Sequence, residues 1–214
     1  ATTWRRLSDS FLHERIVGTS DLLPTNFLDR GASASRTVCR IEVRDRFGRV
    51  LGHGTGFLVG RDLLLTNHHV LEVAEEAERS LAQFDYEDDG AGRPRASVTF
   101  ELDPGRLFVT DAGLDYSLVA VRPTSLDGKP LSGYGYNVLI AESGKALLGE
   151  FVNVVQHPMG GPKQVAVRGN KVVAYPEDFV HYETDTNPGS SGSPVYNDQW
   201  WTVALHHSGV ARKD

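Results

Sequence analysis

Three segments of this 214-residue chain carry residue types suited to nucleophilic chemistry, and they occur in one order: Thr66-Asn67-His68-His69-Val70, Asp115-Tyr116-Ser117-Leu118-Val119 and Pro188-Gly189-Ser190-Ser191-Gly192-Ser193-Pro194. A serine hydroxyl is a poor nucleophile at neutral pH. It needs an imidazole to take its proton and a buried carboxylate to hold that imidazole in one tautomer. His69, Asp115 and Ser191 supply a base, an orienter and a nucleophile. Gly189 lets the backbone turn tightly, so that the amides of Gly189 and Ser191 can both point at an oxygen that gains charge during attack.

Elements must bring these segments together. Alternating apolar residues predict strands over 38–43, 50–59, 62–65, 96–102, 107–109 and 116–121, separated by Gly and Asp turns. A second series is predicted over 151–156, 164–167, 171–175, 179–183, 193–196 and 201–206. Between strands of the first series, the Ala and Glu content of 71–84 predicts a helix. Two clusters of about six short strands imply two closed antiparallel barrels, because closure removes exposed strand edges. The expected organisation is an all-β fold: a leader over 1–35, with an amphipathic stretch over 4–14; a first barrel over 36–122; a connecting segment over 123–150; and a second barrel over 151–214. His69 and Asp115 then fall in the first barrel and Ser191 in the second, with the site in the cleft between them.

Composition narrows the class. The net charge of −6 and the scattered lysines and arginines argue against nucleic acid or an acidic membrane surface as partner. No window approaches the roughly 18 apolar residues of a membrane-spanning helix. The single cysteine, Cys39, lies in an alternating run and reads as a small core residue, and no internal disulfide can form. With no apolar leader at the start, a cytoplasmic location is expected. The eight histidines show no metal-ligand spacing, so neither metal nor cofactor is expected.

The segments Gly54-Thr55-Gly56-Phe57-Leu58-Val59, 64–70, 115–119 and 189–194 resemble those of bacterial trypsin-like serine peptidases, especially the glutamyl endopeptidase branch. The resemblance runs from about residue 36 to 209. It implies a chymotrypsin-like fold, in which His69, at its place in Thr-x-x-His, is the base, while His68 points away by alternation. Ser193 and Pro194 read as support for the following strand, and the turn from His157 to Lys163 as structural.

The resemblance leaves the specificity signals opposed. Asp185, six residues before Ser191, is in register with the trypsin pocket aspartate and implies a preference for Lys or Arg. His206, in the run from Trp201 to Gly209, stands where glutamyl endopeptidases bind an acidic side chain; pairing of His206 with Asp185 is the third possibility. His207, Ser208 and Gly209 are expected to offer backbone to an extended substrate. Arg15-Ile16 resembles a trypsin activation site, but the residue before Ser191 is the neutral Ser190, which cannot compensate a buried ammonium. In the family a further strand and a terminal helix follow the pocket wall, so a second barrel ending at Asp214 is expected to be open on one side. The reading is therefore a serine endopeptidase acting on proteins or peptides, controlled by a regulatory domain or partner chain. The rival is a latent or inactive peptide-binding module; an esterase is a narrower alternative.

Overall fold

A computed structural model describes residues 22–142, 144–176, 179–183 and 188–207. The expected amphipathic stretch over 4–14 and the Arg15-Ile16 pair lie outside them. A helix, α1 (Asn26–Arg36), begins within the expected leader, and buries Phe27, Gly31 and Ala34 along one face. Seven strands follow: β1 (Val38–Arg44), β2 (Val50–Gly60), β3 (Leu63–Thr66), β4 (Leu81–Phe84), β5 (Val98–Glu101), β6 (Phe108–Asp111) and β7 (Tyr116–Ala120). They form one antiparallel sheet in the order β5-β4-β1-β2-β3-β7-β6. A bridge between Leu102 and Val121, with Asp103 N–H donating to the Ala120 carbonyl at 2.7 Å, ties the end of β5 to the end of β7 and closes the sheet.

The helix expected over 71–84 is shorter. Only α2 (Ala74–Arg79) is helical, and Ser80 is extended. The chain then becomes β4, because pairing with β1 (Ile41 opposite Ala82) buries Ala82 and Phe84 on alternate positions. Helix propensity yields to the period-two burial that the barrel offers.

The second sheet comprises β8 (Phe151–Gln156), β9 (Gln164–Ala174), β10 (His181–Tyr182), β11 (Pro194–Tyr196) and β12 (Thr202–Leu205), in the order β10-β9-β8-β11-β12. β9 is one long strand where two were expected, and the strand expected over 179–183 is reduced to two residues. The described sheets thus hold seven and five strands in place of six each. The described residues of the connecting segment hold a bridge between Thr124 and Pro130 and a 3-10 turn, Leu131–Tyr134, and are otherwise irregular.

Three apolar clusters hold the molecule together. Ile41, Leu58, Leu64, Phe84, Phe100 and Val119 fill the first barrel, while Val152, Val154, Val172 and Val195 fill the second. Val38 and Phe57 of the first barrel meet Val155 and Tyr196 of the second in the third cluster. Each buried aliphatic or aromatic side chain contributes about 1.5–3 kcal/mol, so this seam fixes one barrel on the other and sets the cleft. Cys39 is wholly buried, and burial pushes its thiol up to about 12, as an inert core residue requires.

Candidate active site

β3 lies antiparallel to β7 with Thr66 opposite Ser117, which sets the turn after β3 beside the residue that precedes β7. Asn67 fastens that junction, its amide donating to the Asp115 carbonyl at 2.8 Å in a buried position. Asp115 has a left-handed backbone, with φ of 51°, a conformation aspartate tolerates better than most residues. Its carboxylate faces His69: Oδ1 accepts the His69 N–H at 3.0 Å, and Oδ2 accepts the ring Nδ1–H at 2.7 Å. Two bonds from one residue fix the carboxylate, and the ring bond leaves His69 Nε2 free to accept a proton. Burial pushes the Asp115 carboxyl up, but the hydrogen bonds from the amide and ring of His69 and from the His207 ring outweigh it, so the group titrates below its ordinary range. His68 points away, its ring bonded to Thr110 Oγ1 at 2.7 Å.

The turn that carries Ser191 is pinned to the first barrel by Thr55. Its N–H donates to the Ser191 carbonyl at 2.8 Å, and its hydroxyl donates to the Gly189 carbonyl at 2.8 Å. Thr66 Oγ1 in turn donates to the Thr55 carbonyl at 2.7 Å. Gly192, at φ +87°, runs so close to this clasp that a Cβ would stand 2.0 Å from the Thr55 carbonyl oxygen. Met159 N–H donates to the Pro188 carbonyl at 2.5 Å. Because the N–H and C=O of a trans peptide point opposite ways, this bond turns the Gly189 N–H away from Met159. Among the described residues, the amides of Gly189 and Ser191 have no acceptor, and Ser191 Oγ has no partner. Ser190 is buried, and Ser193 Oγ donates to its carbonyl at 2.6 Å, so Ser193 braces the turn that precedes it.

Two histidines follow directly on β12. Gly192 N–H donates to the His206 carbonyl at 3.0 Å, and His206 N–H to the Ser193 carbonyl at 2.8 Å, so β12 leads directly back to Ser191. His206 is buried, with Nδ1 2.6 Å from the Tyr182 hydroxyl. Burial, reinforced by the neighbouring His207 and His69, depresses it to about 4, and burial raises the Tyr182 phenol. The pair is therefore neutral at pH 7, with the phenol able to donate to Nδ1 and leave Nε2 as an N–H donor.

His207 departs from its expected part. Its side chain reaches Asp115, with Nδ1 on the same Oδ2 that His69 uses. The expectation for His207 concerned its backbone alone; the side-chain contact was not foreseen. Alternation was the available signal: with His206 buried, the next residue along an extended chain faces the opposite way, here into the cleft. Asp185, Ser208 and Gly209 lie outside the described residues.

The buried His157 lies behind the turn that carries Ser191. Its N–H donates to Thr55 Oγ1 at 3.1 Å and its ring bonds the Gly161 carbonyl at 2.9 Å. Burial depresses its ring to about 3; the Gly161 bond opposes this, while Lys163, Arg40 and His53 reinforce it. The turn that contains it thus supports the site from behind.

Two joined antiparallel β-sheets, with His, Asp and Ser segments meeting between them, define a chymotrypsin-like fold. The chain belongs to the trypsin-like peptidase domain family, whose model matches residues 54–205. It is 42% identical over 212 residues to the Sinorhizobium fredii "Uncharacterized protein y4fB", across 94% of this chain and 32% of that protein. It is 31% identical to "Secreted RxLR effector protein 73" of Plasmopara viticola, across 82% of this chain and 46% of the relative. It is 24% identical to the glutamyl endopeptidase of Staphylococcus aureus, across 73% and 46%. The match therefore spans between about a third and a half of each relative's length. A crystal structure of the serine endoprotease from Yersinia pestis superposes with a TM-score of 0.60 at 17% identity, covering 87% of this chain and 58% of that one, and shares the fold.

Proposed function

We propose that this chain is a serine endopeptidase that hydrolyses peptide bonds through an acyl-enzyme. Ser191 attacks the scissile carbonyl while His69 takes its proton through Nε2. Asp115 holds the His69 tautomer and favours the imidazolium that forms, and the amides of Gly189 and Ser191 receive the oxyanion. His69 then gives its proton to the leaving amine, and water repeats the sequence to release the acid. The observation that carries this reading is the pair of hydrogen bonds from His69 to Asp115 beside a turn at Ser191 whose two amides lack acceptors among the described residues.

For the residue before the scissile bond, the spacing of Asp185 supports Lys or Arg. A second reading, Glu, rests on the Tyr182 hydroxyl on His206 Nδ1, which leaves Nε2–H as a buried neutral donor for a carboxylate. Cleavage of a mixed peptide library, with Ser191→Ala as control, decides between them. Cuts after Lys or Arg assign Asp185, cuts after Glu assign His206, and an inert wild-type protein leaves the peptide-binding module.

We propose the division into a leader over 1–35, barrels over 36–122 and 151–214, and a connecting segment over 123–150. Packing of the leader's end is supported by Phe27 on Trp200, ring centroids 5.0 Å apart, and by Lys163 Nζ donating to the Ser35 carbonyl at 3.0 Å. The lone buried thiol, Cys39, suits a reducing compartment, and we place the protein inside a bacterial cell under a regulatory domain or partner. No helix among the described residues is long and apolar enough to cross a membrane. Cell fractionation with an antibody to the chain tests the location.

A further inference from the structure

Asp115 carries two imidazoles. His69 Nδ1 and His207 Nδ1 meet the same oxygen, Oδ2, and the three potential ligand atoms lie within 4.8 Å of one another. The rings stand 6.0 Å apart at the cleft, with 44% and 46% of their side chains exposed, whereas the carboxylate is 8% exposed. Oδ1 is separately held by the His69 amide, so Oδ2 stays aimed between the rings. Two imidazoles and one carboxylate are the protein ligands of three-ligand zinc sites that keep a fourth position open.

We propose that His69, Asp115 and His207 form an inhibitory site for a divalent transition metal, with zinc the best fit to the donor set. Each Nδ1 is now at hydrogen-bond separation from Oδ2, and the three atoms lie within 4.8 Å of one another. Zinc bonds of about 2.0–2.2 Å in a tetrahedron need neighbouring ligands roughly 3.3 Å apart, so each ring backs away from Oδ2 by less than about an ångström while the two nitrogens close on each other by at most about 1.5 Å. Rings exposed on one side have room for this, while the carboxylate remains anchored through Oδ1.

Binding silences the triad in two ways. Zinc takes the Oδ2 lone pair on which the His69 ring depends. A neutral imidazole that coordinates through Nδ1 also carries its single proton on Nε2, the atom that must be bare to accept the Ser191 proton. No proton is gained or lost by a neutral ring; it only changes nitrogen. Binding itself does not depend on the peptidase reading, but its inhibitory consequence does.

Calorimetric titration of the Ser191→Ala protein with zinc chloride, with cobalt absorption as a check on tetrahedral geometry, tests the site. One ion per chain is expected. His207→Gln should weaken binding by more than about tenfold, the least that loss of even an outer partner commonly costs. His207→Phe, which keeps an aromatic ring against Phe179, should do the same if the glutamine variant fails to fold. His68→Gln, whose ring faces Thr110, should bind as before. No binding, binding that survives loss of His207, or binding lost with His68 overturns the site. Zinc bound through His207 in a chain that cleaves no peptide upholds it while removing the peptidase reading; an active peptidase indifferent to zinc does the reverse.

Discussion

The Thr55 hydroxyl donates to the Gly189 carbonyl at 2.8 Å, across the seam between the two barrels. Thr55 also accepts the His157 N–H and gives its own N–H to the Ser191 carbonyl, so one side chain and its amide register the nucleophile turn against the barrel that carries His69. Thr55→Val is close in shape and removes the hydroxyl, leaving buried polar groups unpaired at about 1–3 kcal/mol. The expected result is a fall in kcat of roughly tenfold to a hundredfold with KM nearly unchanged, since a misplaced oxyanion donor acts on the transition state. Thr55→Ser should recover most of it. Steady-state kinetics on a peptide substrate make the comparison.

Gly192 tests the same clasp from the other side. A Cβ there would meet the Thr55 carbonyl oxygen at 2.0 Å on a left-handed backbone. Gly192→Ala should cost about 2–5 kcal/mol, the sum of overpacking and backbone strain, and should abolish turnover. Denaturant melts read the stability; an unchanged midpoint would contradict the packing described.

Acid stability should report His157 and His206. Both are held below their ordinary range, at about 3 and about 4, chiefly by burial. The unfolded chain therefore binds protons first, and the contribution of each histidine is full above about pH 6.5 and shrinks as pH falls toward the folded values. Stability should fall between about pH 6.5 and 4. His206→Gln should flatten that slope, as measured by urea midpoints across the range.

Asp115→Asn removes the acceptor shared by two rings and leaves an amide that can offer a hydrogen to His69, favouring the wrong tautomer. In this chemistry that costs about 10⁴ in kcat. A loss under tenfold, measured by single-turnover kinetics, would mean that Asp115 does not orient the base.

The strands that position the site were legible in the sequence because their apolar residues alternate, and the three motifs because nucleophile chemistry needs those residue types together. Residues 81–84 were misread because Ala, Gln and Leu favour helix locally, whereas pairing with Ile41 and its neighbours decides the outcome. α1 was hidden by Gly and Ser, weak helix formers whose small size lets the Phe27, Gly31, Ala34 face pack closely. Alternation could aim the His207 side chain into the cleft, but its contact with Asp115 joins residues 92 apart, and only the return of β12 to the Ser191 turn brings them together.

The central claim is that Ser191 is a nucleophile activated by His69. The most direct measurement is intact mass and peptide mapping after exposure to a fluorophosphonate, which phosphonylates an activated serine and releases fluoride. The account predicts one adduct per chain, on Ser191, absent in Ser191→Ala and slowed by orders of magnitude in His69→Ala. An unlabelled Ser191 in folded wild-type protein, or labelling that persists unchanged without His69, would contradict it.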